Sequence, residues 1–115
     1  MGFDVRRSVA CREDLDRIFD HLFQAYTALG DPRSDAFERA VGRLAAIEAA
    51  MDALAAAPYQ GTLWPEVMDG LRWVTKDRAI FYYRVDPATE TLTVLAVFFG
   101  AQDHKAHVLE RVLKG

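Results

Sequence analysis

Residues 69–100, DGLRWVTKDRAIFYYRVDPATETLTVLAVFFG, constrain the fold more than any other stretch. Three runs of bulky, β-branched and aromatic residues, 71–75, 79–85 and 91–99, read as strands. Lys76-Asp77 separates the first run from the second. Asp86-Pro87-Ala88-Thr89 is a turn, because proline fixes φ and aspartate suits the position before it. Connections this short join only antiparallel neighbours, so the stretch is a three-stranded meander.

The chain ahead of the meander is helical apart from its first residues. Apart from Arg7, Phe3, Val5 and Val9 alternate with polar residues over residues 3–9, a half-buried edge strand whose arginines discourage unwanted pairing. Over residues 12–29, Leu15, Ile18, Phe19, Leu22, Phe23, Tyr26 and Leu29 form one apolar helical stripe. Glu13, Asp14 and Asp16 then fall in its first turns, where the helix dipole favours negative charge, and Gly30 ends it. A second helix begins near Asp31-Pro32 or at Asp35, with Glu38 completing a capping box. Phe37, Ala40, Val41, Leu44, Ile47, Met51 and Leu54 carry its apolar face to about residue 57, where Pro58 stops it. The short link makes the two helices an antiparallel hairpin. Residues 58–68 are irregular, with Gly61 and Pro65 as breakers and Trp64 against the core. Residues 103–114 form a short closing helix with Val108, Leu109, Val112 and Leu113 on one side. The expected fold is α+β, in the order β-α-α-β-β-β-α, as one domain over residues 1–115.

Both faces of the meander are apolar, which is unusual for a small sheet with one helical layer. Strict alternation puts Ala79, Phe81, Tyr83 and Val85 on one face of the middle strand and Arg78, Ile80, Tyr82 and Arg84 on the other. In the last strand it sets Leu92, Val94, Ala96 and Phe98 against Thr93, Leu95, Val97 and Phe99. The helical hairpin can cover only one face. The closing helix, a partner, or both must cover the other, since a bare Trp73-Ile80-Tyr82 patch would be a solubility liability.

Hydrophobic residues make up 51% of the chain and charged ones 27%, with a formal charge of -3. That balance fits a soluble globular protein and argues against one that grips nucleic acid mainly by neutralising phosphates. No apolar run reaches the roughly 20 residues of a membrane span, and no apolar signal-peptide centre follows the N-terminus. One cysteine, Cys11, makes no internal disulfide, so a reducing cytoplasm is expected. A helix N-terminus beside Cys11 could lower its thiol pKa, but no base accompanies it, and a buried thiol is the expectation. His104 and His107 share a helix face beside Asp103, with His21 far away in sequence. No third ligand is close, so no metal and no cofactor are expected. Arg72, Lys76, Arg78, Tyr82 and Arg84 bring cations and an aromatic onto the meander, with His104 and Arg111 near its end. Such groups can orient a phosphodiester and stabilise a charged transition state. His104 and Lys105 are cations in a first helical turn, where the dipole disfavours them, which is suited to contact with an anionic partner.

Several short motifs, in order, resemble the RelE/ParE toxin superfamily over nearly the whole chain. They are Glu13-Asp14-Leu15 with Ile18, Leu54 with Pro58 and Gly61, Gly70-Leu71-Arg72, Tyr83-Arg84-Val85-Asp86, and VLAVFFGAQDH over residues 94–104. The resemblance implies the toxin half of a type II toxin–antitoxin pair, neutralised in a hetero-oligomer by an antitoxin usually encoded alongside. The antitoxin would lay an extended or helical segment on the second sheet face, at Trp73, Ile80, Tyr82 and Arg84. ParE-like members block DNA gyrase, whereas RelE-like members cut messenger RNA on the ribosome with a set of cations. Aligned on Tyr83-Arg84-Val85, the RelE-like cation positions fall on Leu71, Trp73 and Ile80, with the C-terminal pair near Gln102 and Val108. The resemblance therefore favours the ParE-like branch, a gyrase inhibitor that performs no bond chemistry. A diverged ribonuclease using Arg72, Arg78, Arg84 and His104 is the alternative, and a binding module without toxicity is a third.

Overall fold

The computed structural model describes residues 2–100 and 104–113, the side chains of residues 104–106, 112 and 113 excepted. The elements are β1 (Asp4–Arg7), α1 (Val9–Ala28), α2 (Arg33–Asp52), a 3₁₀ turn (Ala53–Ala56), β2 (Thr62–Leu63), β3 (Arg72–Lys76), β4 (Ala79–Asp86), β5 (Thr91–Phe99) and α3 (His104–Leu113). The architecture is α+β, with the helical hairpin on one face of a five-stranded sheet ordered β1-β5-β4-β3-β2. β1 is an edge strand, parallel to β5, while β2 to β5 pair antiparallel. The two-residue β2 has too few alternating positions to stand out in the sequence, and residues 58–68 were expected to be irregular throughout.

Helix boundaries follow local chemistry. α1 starts earlier than its apolar stripe suggests, because the Ser8 side chain accepts a hydrogen bond from the Cys11 N–H at 3.0 Å. Its first turn holds no acidic residue. Asp14 therefore does not serve the helix dipole as expected. It turns inward instead and is 4% exposed. At the other end, Gly30 N–H donates to Thr27 O and Asp31 N–H to Tyr26 O, at 3.0 and 3.2 Å. This is a Schellman termination, and Gly30 supplies its left-handed residue at φ 102°. α2 begins at Arg33 with Pro32 at its N-cap and no side-chain cap, so neither Asp31 nor Asp35 caps it.

The principal core lies between hairpin and sheet. Leu15, Ile18 and Leu22 of α1 and Ala40, Ile47 and Met51 of α2 pack on Phe81, Tyr83, Leu92 and Val94. Strict alternation fails in β5. Tyr82 pairs with Ala96 but Tyr83 with Val94, so Leu95 is an extra residue in a β-bulge. Beyond it the faces exchange: Val97 joins Leu92 and Val94 in the hairpin core, while Ala96 and Phe98 turn to the other side. The expectation that Leu92, Val94, Ala96 and Phe98 share a face is corrected accordingly. A bulge shifts the two-residue period by one, and periodicity carries no sign of it.

The β3–β4 turn places Asp77 and Arg78 at φ 54° and 66°, the doubly positive pair of a tight hairpin. Arg43 of α2 clamps it, donating to the Asp77 carboxylate at 3.0 Å and to the Asp77 carbonyl at 2.6 Å. Before β3, Gly61 at φ 84° lies so close to β3 that a Cβ would come within 2.5 Å of the Trp73 carbonyl oxygen. Gly61→Ala is expected to lower the unfolding free energy by at least about 2 kcal/mol, from left-handed strain plus displaced backbone. Urea unfolding of the variant checks this against Gly42→Ala, which meets nothing within 4 Å.

Candidate partner-binding face

The second sheet face is already partly covered by this chain. Tyr82 is its centre and is fully buried. Trp64 and Trp73 lie with ring centroids 6.3 Å from it, and Phe98 meets it edge-on at 6.0 Å. Val108 of α3 closes this second core with Leu71, while Val67, Met68, Ile80 and Leu95 pack around it. His107 stacks on Phe98 at 5.7 Å. Of the coverings the sequence leaves open for Trp73, Ile80 and Tyr82, the closing helix supplies part: Tyr82 is sealed, and Trp73 and Ile80 are half-buried. Of the four residues assigned to partner contact, only Arg84 is exposed.

α3 is tied down at the bulge by an ion pair whose acid, Asp14, is buried. Asp14 accepts from the Val97 N–H at 3.0 Å and from both Arg111 Nη atoms at 3.0 and 2.8 Å. Arg17 adds a longer contact of 3.3 Å. Arg111 also donates to the Leu95 carbonyl at 3.2 Å, and so does the Ser8 hydroxyl at 3.3 Å. β1 pairs with β5 only as far as Val94, so the β5 backbone beyond it has no strand on that side. α1 and α3 side chains satisfy it instead. The Asp14 hydrogen bond holds the Arg111 pKa above its usual value against the opposing effect of burial.

The cations of the meander do not converge. Arg72 points to the hairpin side, where Nη1 donates to Tyr59 O at 2.6 Å and Gln60 O at 3.5 Å and the guanidinium lies over the Tyr59 ring. The Tyr83 hydroxyl donates to the same Gln60 carbonyl at 2.6 Å, and burial raises its pKa. Arg72 is thus a brace for the segment between the 3₁₀ turn and β2. Arg78 sits in the β3–β4 turn, where β5 ends opposite Ala79. Arg84 is near the opposite end of β4, on the second face. α3 begins at His104, whose side chain is outside the described residues, as are Gln102, Asp103 and Lys114. The positions to which RelE-like cations align, Leu71, Trp73 and Ile80, all pack in or against the second core.

Metal binding and a reactive Cys11 gain no site among the described residues, which leave out Asp103 and the His104 side chain. Among the described residues no group of three His, Cys, Asp or Glu side chains could hold a metal ion. Cys11 is buried in the hairpin core, and burial, aided by Asp14, pushes its thiol pKa up to about 11. Residue 11 is in the first turn of α1, yet desolvation outweighs any help from the dipole. No helix of the described residues is long and apolar enough to cross a membrane.

No protein-family model matches the chain, and no relative is found among curated proteins. Solved structures do match. A chain of the chromosomal ParDE TA system from P. aeruginosa superposes with a TM-score of 0.61 at 22% identity, covering 83% of this chain and 92% of that one. A chain of the RelBE2 toxin–antitoxin complex from Mycobacterium tuberculosis superposes at 0.57 with 20% identity, covering 89% and 95%. The protein has the RelE/ParE fold. Both branches named by the resemblance are thus represented among its structural neighbours. In this RelE/ParE fold the Ser8 cap and the Asp14–Arg111 tie were missed in the sequence, because a serine before an apolar run and an acid near a helix start each had a more ordinary reading.

Asp14→Asn keeps the shape but removes the charge that holds Arg111. It is expected to cost about 2–3 kcal/mol, less than a fully buried pair because Arg111 is one-third exposed. Hydrogen exchange should show α3 losing protection before the helical hairpin does. Cys11 gives an independent check of burial. Moving a thiol from 9.0 to about 11 leaves roughly 100-fold less thiolate near neutral pH. The native protein is therefore expected to react with a disulfide reagent at pH 8 at least about 100-fold more slowly than the urea-unfolded chain.

Proposed function

We propose that this protein is the toxin of a type II toxin–antitoxin pair, that a cognate antitoxin neutralises it in a hetero-oligomer, and that it arrests growth in the ParE-like way by inhibiting DNA gyrase. The fold shared with chains of the ParDE and RelBE2 systems supports the toxin reading. The observation that carries the gyrase branch is the dispersal of the cations. A ribonuclease needs its cations around one phosphodiester so that they act on the charge developing there. Here Arg72 is committed to two backbone carbonyls and the Tyr59 ring on the hairpin side. Arg78 and Arg84 lie near opposite ends of β4, which at eight residues puts them roughly 20 Å apart. On this reading the toxin forms and breaks no bonds itself. It holds gyrase in a state where DNA is cut and not resealed, and it needs no cofactor or metal. The cytoplasm, where gyrase works, is its compartment.

Induced expression in bacteria lacking the partner tests this reading. The SOS response and plasmid supercoiling are followed beside methionine incorporation in one time course. The expected outcome is SOS induction and lost supercoiling while translation continues, and purified protein should raise gyrase-dependent DNA cleavage. Early translation arrest with cleaved messages would overturn the gyrase branch, and unaffected growth would overturn the toxin reading itself.

A further inference from the structure

One end of the second face is exposed among the described residues, and its charges form a pattern. Thr93 of β5 pairs with Arg6 of β1 on one side and Arg84 of β4 on the other, so the three make one cross-strand row. Two residues along each strand, Thr91 pairs with Asp4 and Asp86 in a second row. Arg7 and Val5 serve the hairpin side, so Asp4 and Arg6 face the other way, on the face shared by Thr93 and Arg84. Arg6, Arg84, Asp4 and Asp86 are all exposed.

Neither Arg6 nor Arg84 makes a hydrogen bond or ion pair among the described residues. Arg7, Arg39, Arg43, Arg72 and Arg111, by contrast, are each committed to an acid or a carbonyl. The Cα atoms of Arg6 and Arg84 are about 10 Å apart, two interstrand spacings, with no acid between them in the row. Beside Arg84, an open cleft of about 350 Å³ is lined by Val85, Asp86, Pro87, Thr93 and Leu95. Leu95, the bulge residue, is half-buried and gives the cleft an apolar wall.

We infer that this end of the second face is the docking site for a peptide segment of a protein partner, one that sets a carboxylate on the Arg6–Arg84 row and an apolar side chain against Leu95. The same segment carries a cation toward the Asp4–Asp86 row, about 7 Å further along the strands. The acidic row decides against nucleic acid. A phosphate backbone crossing the arginines would run onto Asp4 and Asp86, and the chain as a whole carries a charge of -3. A peptide can alternate its charges to match, which gives register and selectivity as well as attraction. The inference rests on the reading that the second face takes an antitoxin, and it specifies the chemistry of the segment that binds there.

The probe is the protein encoded next to this gene, co-expressed and then titrated calorimetrically against the full chain. For Arg6→Glu/Arg84→Glu an affinity loss of about 100-fold is expected, with unchanged thermal unfolding because both side chains are exposed. The wild-type affinity should fall more steeply with added salt than that of the variant, which keeps only the Asp4–Asp86 contact. Arg12→Glu/Arg78→Glu, which reverses two exposed arginines elsewhere, is expected to bind as wild type. Equal binding by wild type and Arg6→Glu/Arg84→Glu would overturn the inference and leave the toxin reading standing. No binding by wild type would overturn both. A single-stranded oligonucleotide that binds wild type but not Arg6→Glu/Arg84→Glu would overturn the inference in favour of nucleic acid.

Discussion

The carboxylate of Asp14 is the joint on which this fold turns. It stands 4% exposed at the place where α1, β5 and α3 meet, and it accepts hydrogen bonds from the Val97 backbone and from Arg111. A buried charge is tolerable only when its lone pairs are filled, and these partners fill them. One group therefore satisfies the β5 edge that β1 leaves open and fastens α3 over the second face. Without it, a strand edge, a helix N-terminal segment and a closing helix would each need a separate solution.

The bulge at Leu95 lets one sheet serve two cores. By exchanging faces midway, β5 gives Leu92, Val94 and Val97 to the hairpin and Ala96 and Phe98 to the aromatic cluster around Tyr82. A regular strand would have delivered four apolar residues to one side and left the other with Thr93, Leu95, Val97 and Phe99. The same extra residue leaves Leu95 half-buried at the boundary between the covered and uncovered parts of the second face. The bulge thus links packing to recognition.

The distribution of arginines separates structure from function more sharply than their number does. Most act within the chain: Arg7 on Glu48, Arg43 on the β3–β4 turn, Arg72 on the segment before β2, Arg111 on Asp14. Arg7 ties β1 to α2, and the other three hold segments that lack a regular ladder partner. A basic residue on a meander is therefore poor ground for a catalytic reading until its guanidinium is located. Among the arginines that stand free, Arg6 and Arg84 belong to a small alternating charge pattern, better matched to a folded or extended partner segment than to a polyanion.

Local pattern alone determined the larger part of the architecture. The meander, the hairpin ended by Gly30 and Pro58, and the closing helix all follow from short-range periodicity and stop signals, which act within a few residues and are visible in order along the chain. The two-residue β2, the Ser8 cap and the bulge escaped, since each is too short to leave a period. The motifs that resemble the RelE/ParE superfamily pointed to the fold, and the superpositions on ParDE and RelBE2 chains bear that out. Burial and long-range pairing were decided only in three dimensions. Tyr82 and Arg84 sit on the same face, two residues apart, yet Phe98 and Val108 seal one and leave the other in water. Asp14 and Arg111, 97 residues apart, form the ion pair that fastens α3 to α1. No local signal records such a meeting, because its energy comes from desolvation and from partners that the folded chain alone brings together.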